Sequence, residues 1–148
     1  MIRPATIDDV PAIAVINRLA RDKAMPWLPV LHSLEGDTRF FTRVVAEQSF
    51  AVAEVDGDPV GFCAVQDGWI EQLYIHPDHQ RQGLGSSLIA WAQDGAQALQ
   101  LWAFEQNHAA QAFYAKHGFV EAERTDGRNN AEKTPDVRMT WTRWTSDG

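Results

Sequence analysis

Hydrophobic positions first change their spacing, from a helical period to a two-residue period, after about the first third of the chain. Before that point, the spacing of residues 8–22 predicts one helix, and residues 30–47 predict a second helical run that Gly36 divides. A proline-containing break at 25–29 separates the two. The opening residues can form only a short edge strand, because Pro4 has no N–H to donate to a sheet.

The alternating stretch that follows is interrupted at two Asp-Gly pairs, Asp56-Gly57 and Asp67-Gly68, which are typical of tight turns between strands. It therefore predicts an antiparallel meander of three strands. These strands are predicted at 50–55, 60–65 and 69–75.

The second half of the chain mixes the two periods. A helix predicted at 83–98 is followed directly by a strand at 99–104, and strand, helix and strand in that order imply a parallel pair. Asn107 and Gly118 bracket a further helix as N-cap and C-terminal glycine. A strand at 119–125, a polar loop at 126–136 and a last strand at 137–144 complete the pattern. The whole predicts one α/β domain over residues 1–148 with a mixed sheet.

Composition narrows the classes of protein. The 148 residues are 45% hydrophobic and 22% charged, as in ordinary globular domains. Cys63 is the only cysteine, which excludes an intrachain disulfide and fits a reducing compartment. There is neither an apolar run long enough for a membrane span nor an apolar signal core after Met1, so we expect a cytoplasmic protein without a membrane partner. The net charge of −7 argues against nucleic acid and only slightly favours a cationic partner.

A glycine loop carries the first chemical signal. Gly83 and Gly85 follow a predicted strand and open a predicted helix, where unpaired backbone N–H groups and the helix dipole favour an anion, most often a phosphate. Leu88 stands where the dinucleotide-binding fingerprint needs a third glycine, and no Gly-Lys-Ser/Thr follows for a Walker A loop. Glycine spacing alone is equally compatible with a tight turn that binds nothing.

Two motifs together resemble those of the GNAT family, the acetyl-CoA-dependent N-acetyltransferases. Residues 73–85, with Gln80-Arg81-Gln82-Gly83-Leu84-Gly85 after a strand that ends at His76-Pro77, resemble motif A of that family. Residues 107–119 resemble its N-x-x-A-x-x-F-Y-x-x-x-G-F segment. The resemblance covers residues 2–144 and is weakest over 22–47.

The resemblance implies a fold, a cofactor and a set of binding residues. The expected fold is a GNAT-like, mostly antiparallel mixed sheet with a central parallel pair splayed at the cofactor site and helices on both faces. Acetyl-CoA or coenzyme A is the expected cofactor, with its pyrophosphate on the glycine loop and its pantetheine arm along the preceding strand. The residues expected to bind it are Leu73, Tyr74, Ile75, Gln80, Arg81, Gln82, Gly83, Leu84, Gly85, Ser86, Asn107 and Tyr114.

The same resemblance gives Tyr114 the role of general acid beside the thioester sulfur. A phenol suits that role because it is protonated at neutral pH. Glu71, on the strand before the glycine loop, is the candidate general base; alternation would place it on the same face as Leu73 and Ile75. Each residue also has a structural interpretation, Tyr114 as a core aromatic and Glu71 as a solvated carboxylate. His32 is a second candidate base.

The predicted reaction is acetyl transfer from acetyl-CoA to a primary amine by direct attack in a ternary complex. The alternatives are a non-catalytic acyl-CoA-binding or regulatory module, and a phosphate-binding fold without coenzyme A. The acceptor, small molecule or peptide, stays open. Its pocket is expected near Trp27, Phe40 and Phe41 and near the loop that contains Arg128, Asn129, Asn130 and Glu132.

Three further expectations concern metals, Cys63 and assembly. We predict no metal site, because His76, His79 and His108 lack a matching ligand set, and a structural role for Cys63. A homodimer is an open alternative, since Trp141 and Trp144 suit either an interface or the core.

Overall fold

The computed structural model describes residues 1–143, which form seven strands, four helices and two short 3-10 turns. The strands are β1 (Ile2–Pro4), β2 (Ser49–Val55), β3 (Asp58–Gln66), β4 (Trp69–Ile75), β5 (Ala98–Phe104), β6 (Val120–Thr125) and β7 (Asp136–Thr142). The helices are α1 (Val10–Ala24), α2 (Leu34–Glu47), α3 (Leu84–Gln93) and α4 (His108–Lys116), and the 3-10 turns are Ile7–Asp9 and Pro77–His79. None of the helices in this part of the chain combines the length and the apolar character that a bilayer span requires.

All seven strands belong to one sheet in the order β1-β2-β3-β4-β5-β7-β6. Strands β2 to β4 pair antiparallel, as the turn signals predict, β1 pairs antiparallel with β2, and β4 pairs parallel with β5. The last strand, β7, lies between β5 and β6 and pairs antiparallel with both. Local sequence signals do not predict this strand order, because β7 pairs with β5 across a long separation in the chain.

Helices cover both faces of the sheet, and alternation along β2 shows how. Phe50 and Val52 pack with α1 and α2, whereas Ala51 and Ala53 pack with α3 and α4. Large aromatic side chains fill the first face, where Phe41 lies edge-on to Phe62 with ring centroids 5.4 Å apart. Each fully buried side chain of this size contributes roughly 1.5–3 kcal/mol. The predicted fold class is therefore confirmed.

Two predicted helix boundaries are wrong. Gly36 does not divide α2, because the Ser33 hydroxyl caps the helix by accepting from the Gly36 N–H at 3.0 Å, so the helix begins at Leu34. Helix α3 ends at Gln93 rather than at residue 98. Gly95 adopts a φ of 77°, in the left-handed region that typically ends a helix. Trp144, predicted in the last strand and as an interface or core residue, lies outside the described residues.

Candidate active site

The parallel strands β4 and β5 separate almost as soon as they pair. Their ladder contains one residue pair, Trp69 with Gln100. Beyond it, β4 pairs only with β3 on its other side, so the β4 edge that faces β5 has no strand partner in residues 1–143. A cleft of about 100 Å3 opens between the diverging strands. Among the predicted site residues, the structure brings together in its wall Glu71, Leu73, Tyr74, Asn107 and Tyr114.

Tyr114 is a buried wall residue of this cleft, only 9% exposed. It comes from α4, and its ring packs edge-on against Phe113 and Phe119. Burial raises the pKa of its phenol far above the usual value, with smaller contributions from Cys63 and Tyr74. The structure therefore holds a phenol that keeps its proton at every ordinary pH, packed among core aromatics and open to the cleft.

Asn107 caps α4 and also lines the cleft. Its Oδ1 accepts a hydrogen bond from the Ala110 N–H at 3.2 Å, which is the predicted cap. Since only the side-chain oxygen is used in this bond, the cap is compatible with a contact between the Asn107 amide NH2 and a ligand.

Glu71 occupies an irregular position that alternation does not predict. In the ladder with β3, Val65 faces Ile70 and Ala64 faces Gln72, so Glu71 has no partner and forms a β-bulge. Regular alternation therefore breaks at Glu71, and Ile70, one residue earlier, packs with Leu73 in the same core cluster. Glu71 lines the cleft together with Leu73, and partial burial raises the pKa of its carboxyl.

The glycine loop presents a row of backbone donors. None of the N–H groups of residues 81–86 donates to another group within residues 1–143, and this row runs into the N-terminus of α3. Arg81 (φ 66°) and Gly83 (φ 79°) are both left-handed, a geometry that turns successive N–H groups toward one side. Gln80 is used within the chain, because its side-chain Nε2 donates to the Ile75 carbonyl at 3.2 Å.

Contacts with α4 hold the first turn of α3 in place. A Cβ at Gly85 would lie 3.2 Å from the Cζ of Phe113, so glycine allows the two helices to approach. Ser86 Oγ lies 3.0 Å from His117 Nε2, a link that sequence reasoning missed. Burial lowers the pKa of His117, and Lys116 lowers it further. The sequence does carry a signal for this contact, because His117 follows Phe113 by four residues and Tyr114 by three, the spacing of one helix face.

Other candidate residues lie away from the cleft or have structural roles. His32 lines a different cavity beside α1. Trp27 packs edge-on against Phe104 at the end of β5, with centroids 6.2 Å apart, while Phe41 is in the core and Phe40 is partly exposed. Burial raises the pKa of Cys63 to about 12, which makes it a poor nucleophile.

The loop between β6 and β7 is ordered by its own side chains. Asn130 Nδ2 donates to the Thr134 carbonyl at 2.7 Å and to Asp136 Oδ2 at 3.1 Å. Arg128 is exposed and pairs with Asp126 at 2.9 Å. No group of three or more His, Cys, Asp or Glu residues within 1–143 is arranged to hold a metal ion.

The model of the acetyltransferase (GNAT) domain matches residues 46–121, half of the chain, including the glycine loop, β4 and α4. The chain belongs to the GNAT acetyltransferase family. Peptidyl-lysine N-acetyltransferase YjaB of Salmonella typhimurium is 38% identical over 76 residues, which are 51% of this chain and 52% of that protein. Peptidyl-lysine N-acetyltransferase YiaC of Escherichia coli is 25% identical over 120 residues, 80% of this chain and 82% of that protein. This GNAT chain spans only about half the length of several curated relatives that it matches, YjaB among them.

Solved GNAT structures share the fold along nearly the whole chain. Apo YjaB of Escherichia coli superposes with a TM-score of 0.80 at 23% identity, covering 95% of this chain and 96% of that one. The PaiA N-acetyltransferase of Thermoplasma acidophilum, solved with coenzyme A, has a TM-score of 0.77 at 18% identity, covering 97% and 98%.

Proposed function

We propose that this protein is an N-acetyltransferase that moves the acetyl group of acetyl-CoA onto a primary amine by direct attack in a ternary complex. The observation that carries the proposal is the cleft at the diverging strands, where Tyr114, Asn107 and Glu71 meet the unpaired edge of β4. The glycine loop follows that edge directly. The loop with its unpaired N–H groups, the unpaired strand edge and the buried phenol of Tyr114 thus lie close together along one side of the protein.

The loop and the strand edge fit the two halves of coenzyme A. The unpaired N–H groups of residues 81–86, together with the α3 dipole, suit the charge of a pyrophosphate. The free edge of β4 at Leu73, Tyr74 and Ile75 suits an extended amide-containing arm, which would pair with it as an added strand does. Asn107 lines the same cleft and would contact that arm. Coenzyme A in the Thermoplasma acidophilum homologue supports this assignment.

When bound, acetyl-CoA supplies a thioester whose carbonyl carbon forms the new C–N bond with a neutral amine while its C–S bond breaks. Glu71, whose raised pKa lies closer to neutrality than that of an ordinary glutamate, would take the proton from the amine directly or through water. Tyr114 would hold a proton at its phenol oxygen for the departing sulfur, since burial keeps it protonated. Unpaired N–H groups on the β4 edge would stabilise charge on the carbonyl oxygen.

The acceptor that we propose is a lysine-type side-chain amine. The peptidyl-lysine specificity in the names of YjaB and YiaC supports this choice. A carboxylate in the cleft and the net charge of −7 also favour an acceptor that arrives as a cation.

Two measurements test the proposal in order. Acetyl-CoA should raise the thermal unfolding midpoint of the protein, as any ligand that binds the native state does. Release of free thiol should then require an amine as well as acetyl-CoA. If acetyl-CoA binds tightly but no amine causes thiol release, the protein is a non-catalytic binding module. If acetyl-CoA causes no thermal shift, the assignment of coenzyme A as the ligand is wrong.

A further inference from the structure

Asn17 has a polar side chain without a partner in the interior of the protein. It lies on α1, is only 6% exposed, and its Oδ1 makes no hydrogen bond within residues 1–143. A buried amide left unpaired is unfavourable, so such groups are uncommon. Asn17 lines a cavity of about 50 Å3 between α1, the connection to α2 and Glu132, which is enough room for a small polar group.

Arg21 and Glu132 line the same cavity and are only loosely engaged. Arg21 Nη2 lies 3.6 Å from Glu132 Oε1, beyond hydrogen-bond distance, although the two side chains are only 29% and 19% exposed. Neither side chain makes a hydrogen bond within the described part of the chain. Arg18, one turn earlier on α1, is different: it donates to the His32 carbonyl at 2.6 Å and to Asp37 at 2.9 Å. The fold therefore holds Arg18 by two hydrogen bonds, whereas Arg21 has only the ion pair with Glu132 at 3.6 Å.

The polar cavity adjoins the cleft. Met25 lines both spaces. Glu132 lines both the polar cavity and a trough of about 370 Å3, and Trp102 and Phe104 line both this trough and the cleft. Burial raises the pKa of Tyr74, a wall residue of the cleft, and the charges of Arg21 and Glu132 make smaller contributions in opposite directions. The three spaces therefore adjoin one another through shared wall residues.

The three polar residues offer complementary chemistry. An arginine only donates hydrogen bonds, an ionised glutamate only accepts them, and an asparagine does both. Together they suit a group that carries an acceptor and a donor side by side, as the backbone of an amino acid does. The aromatic side chains of Trp102 and Phe104 between them and the cleft suit an alkyl chain.

We infer that Asn17, Arg21 and Glu132 recognise the backbone of a lysine-type acceptor whose side chain crosses Trp102 and Phe104 to reach the cleft. This inference rests on the proposed acetyltransferase function and adds the group that selects the acceptor. A free amino acid and a residue within a peptide share this backbone chemistry.

The test compares a lysine derivative with an amine that lacks the backbone amides. Nα-acetyl-lysine methylamide and cadaverine present the same primary amine on a similar chain, but cadaverine carries a second amine where the lysine derivative carries its two backbone amides. We expect kcat/KM to be about 10–100-fold higher for the lysine derivative, the range for one charged hydrogen-bond contact. Free lysine, measured in parallel, distinguishes an amino-acid acceptor from a peptide acceptor. Equal kcat/KM values for the lysine derivative and cadaverine would overturn the inference.

Three variants locate the selectivity. Arg21→Gln and Glu132→Gln should each lower the ratio of the two kcat/KM values at least about 5-fold. Arg18→Gln is the matched control, because Arg18 lines the same cavity with its hydrogen bonds already made, and it should leave the ratio within about twofold. An unchanged ratio in both Arg21→Gln and Glu132→Gln would also overturn the inference.

A binding measurement separates this inference from the proposed function. Calorimetric titration of the coenzyme A-loaded protein should show tighter binding of Nα-acetyl-lysine methylamide than of cadaverine, whether or not either amine is acetylated. Selective binding of the lysine derivative without acetyl transfer to any amine would refute the proposed function and keep the recognition site. Acetyl transfer without selective binding would keep the proposed function and refute the recognition site.

Discussion

On the α3 side of the cleft, the groups proposed to bind ligand are mostly backbone groups of neighbouring residues, namely the β4 edge and the N–H groups of 81–86. On the α1 side they are side chains: Asn17 and Arg21 lie one turn apart on α1, and Glu132 comes from the distant loop between β6 and β7. Backbone groups present the same chemistry whatever the side chain, so the first side suits a ligand common to a family. Side chains can change one at a time, so the second side suits a ligand particular to this protein.

This contrast also explains how each side tolerates substitution. The α3 side depends on backbone shape, which Gly83, Gly85 and the contact with Phe113 maintain. The α1 side depends on the identity of its polar side chains. Substitutions that alter backbone shape should therefore weaken cofactor binding, and substitutions of exposed loop side chains should not.

The largest effect is expected at Tyr114, which joins the two sides. Tyr114→Phe should lower kcat about 10²–10³-fold, because it removes the proton donor, while the ring still packs against Phe113 and Phe119. Coenzyme A affinity, measured by calorimetry, should stay within about twofold. The protein itself should show no loss of rate from Tyr114 ionisation up to about pH 10, since burial raises the pKa of the phenol above its usual range. Unchanged turnover in the variant would remove Tyr114 from the mechanism.

Gly85→Val tests the dependence of the α3 side on backbone shape. The added side chain would meet Phe113, because even a Cβ would lie 3.2 Å from its Cζ. The first turn of α3 must then shift, and coenzyme A affinity should fall at least about 10-fold (~1.4 kcal/mol) in a calorimetric titration. Ala90→Val, at an exposed position of the same helix, is the control for helix stability. Equal affinities in the two variants would show that the position of this turn does not matter for binding.

Glu71→Gln tests the candidate base. We expect kcat to fall about 10-fold, a modest loss because water can reach this exposed position and accept the proton in part. A base must be deprotonated to act, so the rate of the protein should rise with pH through the raised pKa of Glu71, and this acid limb should disappear in the variant. Glu47→Gln, an exposed carboxylate on α2, should change neither the rate nor its pH profile. An acid limb that survives in Glu71→Gln belongs to another group.

His117→Gln should weaken coenzyme A binding about 2–5-fold by loosening Ser86 at the start of α3. Burial lowers the pKa of His117, so its contribution to stability is complete above its unfolded value near 6.5 and is lost as the pH falls through the lowered pKa. Unfolding midpoints between pH 5 and 7 should therefore depend less on pH in the variant than in the unaltered protein. If the unfolding midpoints of both proteins depend on pH in the same way, the contact between His117 and Ser86 does not depend on the protonation of His117.

The smallest effect is expected at Arg81. Arg81→Asn removes a positive charge from the loop but keeps a residue that tolerates the left-handed φ of 66°. If the backbone holds the phosphates, coenzyme A affinity should change less than about threefold in the same titration. A loss of 10-fold or more would contradict the contrast, because the α3 side would then also depend on a side chain.

The sequence predicted the proposed ligand-binding groups on the α3 side well and those on the α1 side poorly. Gly83, Gly85, Asn107 and Tyr114 lie in two short motifs, so local spacing was enough to predict the loop, the cap and the family. The bulge at Glu71 was not predicted, because a β-bulge depends on the register with β3 and leaves no signal in β4 itself.

Amino-acid order by itself determined the elements, the parallel step from β4 to β5, and the glycine loop at the start of α3. These features depend on hydrophobic period, turn residues and backbone conformation, which act over a few residues. Tertiary structure alone decided the insertion of β7 beside β5, the divergence that opens the cleft, and the approach of Glu132 to α1. Each of these depends on contacts between residues far apart in the chain, and such contacts exist only once the sheet and helices have packed.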